Sequence, residues 1–172
     1  MIRVEIESVR MSLLSQHRLV VLKDINHERF LPIWIGPFEA DAITVELQGV
    51  QVARPLTHDL LRSVIQTAGL KVKHIIVNDL RNETFYATIH LDSNGKTLEV
   101  DSRPSDAIAL AVRVSAPIFV AESVMDGAAV APQEGLELGD LSPEEEARLS
   151  VFSEFLDSLD VENLDDDEEN ET

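Results

Sequence analysis

The sequence predicts an α+β fold made of internally duplicated strand-strand-strand-helix units, arranged as a mixed or antiparallel sheet assembly with packed helices. Three observations carry this. Strand-length segments that alternate or run apolar come in runs of three. Each run leads into a helix that opens on proline. Residues 98–114, LEVDSRPSDAIALAVRV, also overlie residues 31–47, LPIWIGPFEADAITVEL, without a gap at an offset of 67. Leu98, Pro104, Ala107, Ala109 and Val112 fall on Leu31, Pro37, Ala40, Ala42 and Val45, and Asp106 falls on Glu39. Runs of strands separated by helices argue for α+β over a regular βαβ wind.

Residues 2–9 alternate charged and apolar side chains, the period of a half-buried strand. Residues 18–23 and 30–35 give two more strands, joined by the polar turn 24–29. Gly36-Pro37 then opens a helix, because the N–H that proline lacks would be unpaired at the first helical position anyway. Gly49 closes that helix. Thr57 is expected to cap a second helix, with Leu60, Leu61, Val64, Ile65 and Ala68 as its apolar stripe and Gly69 as its stop. Strands are expected at 72–79, 84–91 and 96–101, with turns at Arg81-Asn82 and Ser93-Asn94-Gly95. A helix at 104–115 is apolar on nearly every side except Arg113, so it should be deeply buried. A last strand follows at 117–121.

The net charge of −18 is unevenly spread. Residues 132–172 hold 16 acids and a single base, Arg148, whereas residues 1–131 hold 16 acids and 13 bases. Neither part is the basic surface of a tight, non-specific nucleic-acid binder. Three segments follow: a domain at 1–131, an acidic extension at 132–162, and a disordered acidic tail at 163–172. Within the extension, Ser142-Pro143-Glu144-Glu145 is a capping box for an amphipathic helix at about 142–160. Its Phe and Leu stripe is expected to pack, and the last residues to confer solubility. There is no cysteine, hence no disulfide and no thiolate chemistry. No leader pattern and no membrane-length apolar run is present, which points to a cytoplasmic protein without a membrane partner.

LPIWIG (31–36), RPLTHDLL (54–61), TFYATI (84–89), DSRPSDAIALAVR (101–113) and PIFV (117–120) together resemble the bifunctional nuclease family. The resemblance covers about the first 130 residues. It implies a compact α+β domain that self-associates, and a nuclease acting on DNA and RNA. Strand-rich edges and exposed helix starts make that oligomer most simply a symmetric dimer.

The residues themselves leave two readings open at most positions. Asp106 and Glu39 sit in first helical turns, where a carboxylate stabilises the helix by about 0.3–1 kcal/mol through the dipole. The functional reading makes them, with Asp101, catalytic carboxylates that hold Mg²⁺ or Mn²⁺ and activate water for phosphodiester hydrolysis. His58, near a helix N-terminus, is either an exposed histidine or a neutral acid/base. Arg54 and Arg103 precede prolines and can bind phosphate or pair with Asp59 and Asp106. Thr57, Asp59 and Ser105 complete the candidate substrate contacts. Arg113 and Glu46, related by the offset, are expected to form a buried ion pair. Trp34, Phe85 and Tyr86 read as core packing. Asp101 and Arg103 fall on Trp34 and Gly36 in the echo, so the fold does not require them twice, and they carry the sharper functional reading. The alternative is a non-enzymatic regulatory or assembly module that binds an anionic ligand or a protein partner.

Overall fold

Alternating apolar side chains make β1 (Ile2–Met11), whose Ile2 and Val4 are buried while Arg3 and Glu5 face solvent. The computed structural model describes residues 1–11 and 18–131. The acidic extension and its expected helix lie outside them. β2 (Arg18–Asp24) and β3 (Phe30–Ile35) complete an antiparallel meander with β1. A second meander is formed by β4 (Lys71–Arg81), β5 (Thr84–Ser93) and β6 (Lys96–Ser102). The three-residue β7 (Ile118–Val120) lies between them, antiparallel to β1 and parallel to β4. One mixed sheet results, in the order β3-β2-β1-β7-β4-β5-β6.

Helix α1 (Pro37–Leu47) follows the first meander and α3 (Pro104–Val114) the second. Both begin on proline, after Gly36 and Arg103 respectively. Helix α2 (Thr57–Thr67) leads into β4, and α4 (Glu122–Ala128) follows β7. The α+β class agrees with the sequence. Ala107, Ile108, Ala109, Leu110 and Ala111 are all essentially inaccessible, so α3 is the buried helix its composition implies. Three alanines on it let neighbouring elements approach closely. Its packing partners include α1, α2, β4 and β5.

Four local expectations are corrected. Leu56, not Thr57, precedes the first turn of α2, and Thr57 is its exposed first residue. The inward side of α2 is made by His58, Leu61 and Ile65, while Leu60 and Val64 are exposed. Trp34 keeps half of its surface open, and Tyr86 lies under the Arg81 guanidinium at 4.1 Å. Helix α4 was not foreseen. It is too short for a period to show, and Val124 and Met125 anchor it in the core. No helix among the described residues is long and apolar enough to cross a membrane.

Candidate functional site

The starts of α1, α2 and α3 meet through four side chains. Asp106 is the third residue of α3, where helical spacing brings its carboxylate back toward Arg103 just ahead of the helix. Arg103 donates from Nε to Asp106 Oδ2 at 2.7 Å and from a terminal nitrogen to Glu39 Oε1 at 2.6 Å. The other Asp106 oxygen lies 3.1 Å from Nε2 of His58 on α2. An ionised carboxylate only accepts, so the ring donates from Nε2, and in a neutral imidazole Nδ1 is then the acceptor. Glu39 folds back over Gly36, where a Cβ would run into its carboxylate. Glycine before α1 and arginine before α3 are therefore two halves of one contact.

Burial on its own would raise the Asp106 pKa. The hydrogen bonds from Arg103 and His58, with the Arg103 charge, outweigh it and hold the carboxyl below its ordinary value. The same bonds to Asp106 and Glu39 raise Arg103. Arg103 is 65% exposed at its side chain and His58 only 9%. An accessible cation thus stands in front of an enclosed imidazole oriented by a carboxylate. That arrangement suits an anionic ligand contacted by Arg103 and a proton carried by His58.

A second network joins the helices behind this one. Asp59, next to His58, accepts from Leu56 N at 2.9 Å and from Arg113 Nε at 2.9 Å. Arg113, 1% exposed at its side chain, also donates to Ala109 O and Ala42 O. One guanidinium so ties α1, α2 and α3. Burial pushes Asp59 upward, but the Leu56 and Arg113 bonds prevail and lower it. The expected Arg113–Glu46 pair is corrected: Arg113 takes Asp59 instead, because α2, absent from the echo argument, inserts its own carboxylate. Arg62, unmarked in the sequence, donates to Arg113 O at 3.4 Å. Beside it opens a cleft of about 300 Å³ lined by Glu46, Val50, Val52, Arg54, Asp59 and Arg62 among others.

The remaining candidates do not join the cluster. Asp101 pairs in register with Thr88, and Glu99 with His90, whereas Ala87, Ile89 and Leu91 face the core. Strand alternation therefore turns Asp101 to the sheet face away from the helices. His74 and His90 stack on that outer face at 4.4 Å, with the Phe119 ring perpendicular to His74. Ser105 is buried and Thr57 makes no hydrogen bond to the cluster. Among the described residues, no group of three or more His, Cys, Asp or Glu side chains is arranged to hold a metal ion. Glu39 and Asp106 already share the Arg103 guanidinium, which competes with a divalent cation for the same oxygens. The expected Asp101–Asp106–Glu39 metal set does not fit this arrangement.

A family model described as the bifunctional nuclease domain matches residues 20–133. An uncharacterized protein of Mycobacterium tuberculosis strain H37Rv is 41% identical over 162 residues, 91% of this chain and 93% of that protein. Bifunctional nuclease 2 of Oryza sativa subsp. japonica is 30% identical over 112 residues, 63% of this chain and 34% of that protein. Bifunctional nuclease 2 of Arabidopsis thaliana is 29% identical over 110 residues, 62% of this chain and 33% of that protein. The chain spans about a third of the length of these plant relatives.

Proposed function

The chain belongs to the bifunctional nuclease domain family, and on that premise we propose that it cleaves phosphodiester bonds of DNA and RNA at the Arg103–Asp106–His58 cluster. The observation that carries the reading is this relay, assembled from the starts of α2 and α3 with Glu39 of α1 behind it. Arg103 contacts the phosphate through its open edge and offsets the negative charge that grows in the transition state. Asp106 fixes the His58 tautomer, as a carboxylate does for an imidazole base. His58 accepts the proton of the attacking hydroxyl at Nδ1, the 2′-hydroxyl of RNA or a water on DNA. It then returns that proton to the leaving oxygen. Arg54 is a second phosphate contact, on the cleft side of the same helix start.

Purified wild type, His58→Ala, Asp106→Asn and Arg103→Ala should be compared on labelled single- and double-stranded DNA and RNA, with and without EDTA. Loss of the acid/base is expected to cost roughly 10²–10⁴-fold in rate. Equal residual cleavage by all four proteins would sink the enzyme reading and leave an anion-binding module. Loss of wild-type cleavage on adding EDTA would return a metal to the reaction.

Self-association belongs to the same reading. Phe38, Leu60 and Val64 stand exposed on α1 and α2, Phe38 at 83%. Covering such side chains with a second copy removes apolar surface from water. Light scattering should give a dimer mass, and a Phe38→Asp/Leu60→Asp double variant a monomer.

A further inference from the structure

We propose that the cleft beside α2 is a nucleotide subsite, which holds one nucleotide unit of the strand whose phosphodiester lies at Arg103. The proposal rests on the nuclease reading above and names the unit whose phosphate Arg54 contacts.

The cleft holds charges of two kinds. Asp59, Arg62 and Arg113 are engaged with one another and with backbone carbonyls. Among the described residues, the side chains of Glu46 and Arg54 make no hydrogen bond or ion pair. A carboxylate and a guanidinium thus line one concavity without neutralising each other. Val50 and Val52, about half exposed, complete its wall with apolar surface. A ligand that satisfies all three must carry an anion for Arg54, a hydrogen-bond donor for Glu46 and a flat apolar face for the valines.

A nucleotide has these three parts. Its phosphate accepts from the Arg54 guanidinium, a sugar hydroxyl donates to Glu46, and the base covers Val50 and Val52. The volume of about 300 Å³ lies at the lower end for ligand pockets and suits one such unit. Asp59 lines the cleft, and the preceding residue, His58, belongs to the relay. Cleft and relay are thus both carried by the first turn of α2. The sequence pointed to Glu46 for another reason, as the partner of Arg113. Because Asp59 takes that guanidinium, Glu46 is left for the cleft.

The test is calorimetric titration of the full-length chain with nucleoside 5′-monophosphates and with the phosphate-free nucleosides. Oligonucleotide cleavage is measured in parallel. Wild type is expected to bind the monophosphates. Arg54→Gln and Glu46→Gln should each bind about 10- to 100-fold more weakly and raise KM for oligonucleotides with kcat retained. Neither side chain has a partner to lose among the described residues, so both variants should match wild type in circular dichroism and melting. His58→Ala should keep monophosphate binding while losing cleavage. A wild type that binds monophosphates through these two residues but cleaves nothing would keep the subsite and remove the nuclease reading. A wild type that cleaves oligonucleotides, with Arg54→Gln and Glu46→Gln unchanged in both assays, would overturn the subsite together with the Arg54 phosphate contact and leave the relay standing.

Discussion

Asp106, Asp59 and Asp24 show how one residue type does different work according to what faces it. Asp106 meets an exposed arginine and an enclosed histidine. Asp59 meets a buried arginine. Asp24, itself buried, accepts from Asn26 N and from two nitrogens of Arg29. In each, burial works upward, but the donors around it win and lower the pKa. A folded pKa below the unfolded one adds stability above about pH 4, and that stability is lost as pH falls through the depressed value. Unfolding measured from pH 7 to pH 2 should therefore show a steep acid limb. Asp59→Asn, which strands the buried Arg113 charge, should cost about 3–5 kcal/mol at pH 7 and flatten that limb. An unchanged denaturation midpoint would contradict the tie between the three helices. His74 adds an earlier acid loss. Burial lowers its pKa first, then His90 and Lys73, so stability should begin to fall below about pH 6.5. A slope that persists in His74→Gln would assign this loss to another group. Arg103–Asp106 was legible in the sequence because three residues along a helix start bring side chains together. Arg103–Glu39 and Arg113–Asp59 were not, because their partners lie 64 and 54 positions apart.

Helix α2 shows where patterning reaches its limit. Its sequence offers Leu60, Leu61, Val64 and Ile65 alike, yet Ile65 is buried and Leu60 and Val64 are not. The neighbour it leans on, α3, rotates the inward side toward His58, and a polar residue in a buried first turn is invisible to a hydrophobic count. Ile65→Ala should cost about 2–5 kcal/mol. Leu60→Ala, with both changes made in the Phe38→Asp background to keep the chain monomeric, should stay within about 0.5 kcal/mol; the reverse order in chemical denaturation would refute the orientation. The β4–β5 hairpin makes a similar point. Its turn sits at Asn82 and Glu83, both with positive φ, one residue beyond the position read from the sequence. Glycine adopts that region freely and glutamate only at a steric cost, so Glu83→Gly should raise the unfolding free energy by about 1 kcal/mol. Asp101 misled for a related reason. The motif around it is contiguous in sequence, but strand alternation sends it to one face of the sheet and the helix after it to the other.

At the scale of the whole molecule, the two meanders and the burial of α3 were readable because each depends on local period and composition. The β7 placement was not: PIFV announces a strand without naming its neighbours. Those three residues complete the ladder on both sides, with Ile2 opposite Val120 and Ile75 opposite Ile118. A chain ending at Ala116 should expose the edges of β1 and β4 and aggregate, as light scattering would detect. The same strand also sets a clock. A ribosome delivers β1 first and β7 almost at the end of the domain, so the earliest strand waits through nearly all of the domain's synthesis for its second partner. Each meander can form as soon as it emerges, but their union must close a loop of more than a hundred residues, which makes it the slow step of folding. Until then the nascent chain carries two separate half-sheets, and the relay between α2 and α3 takes shape only within the later one.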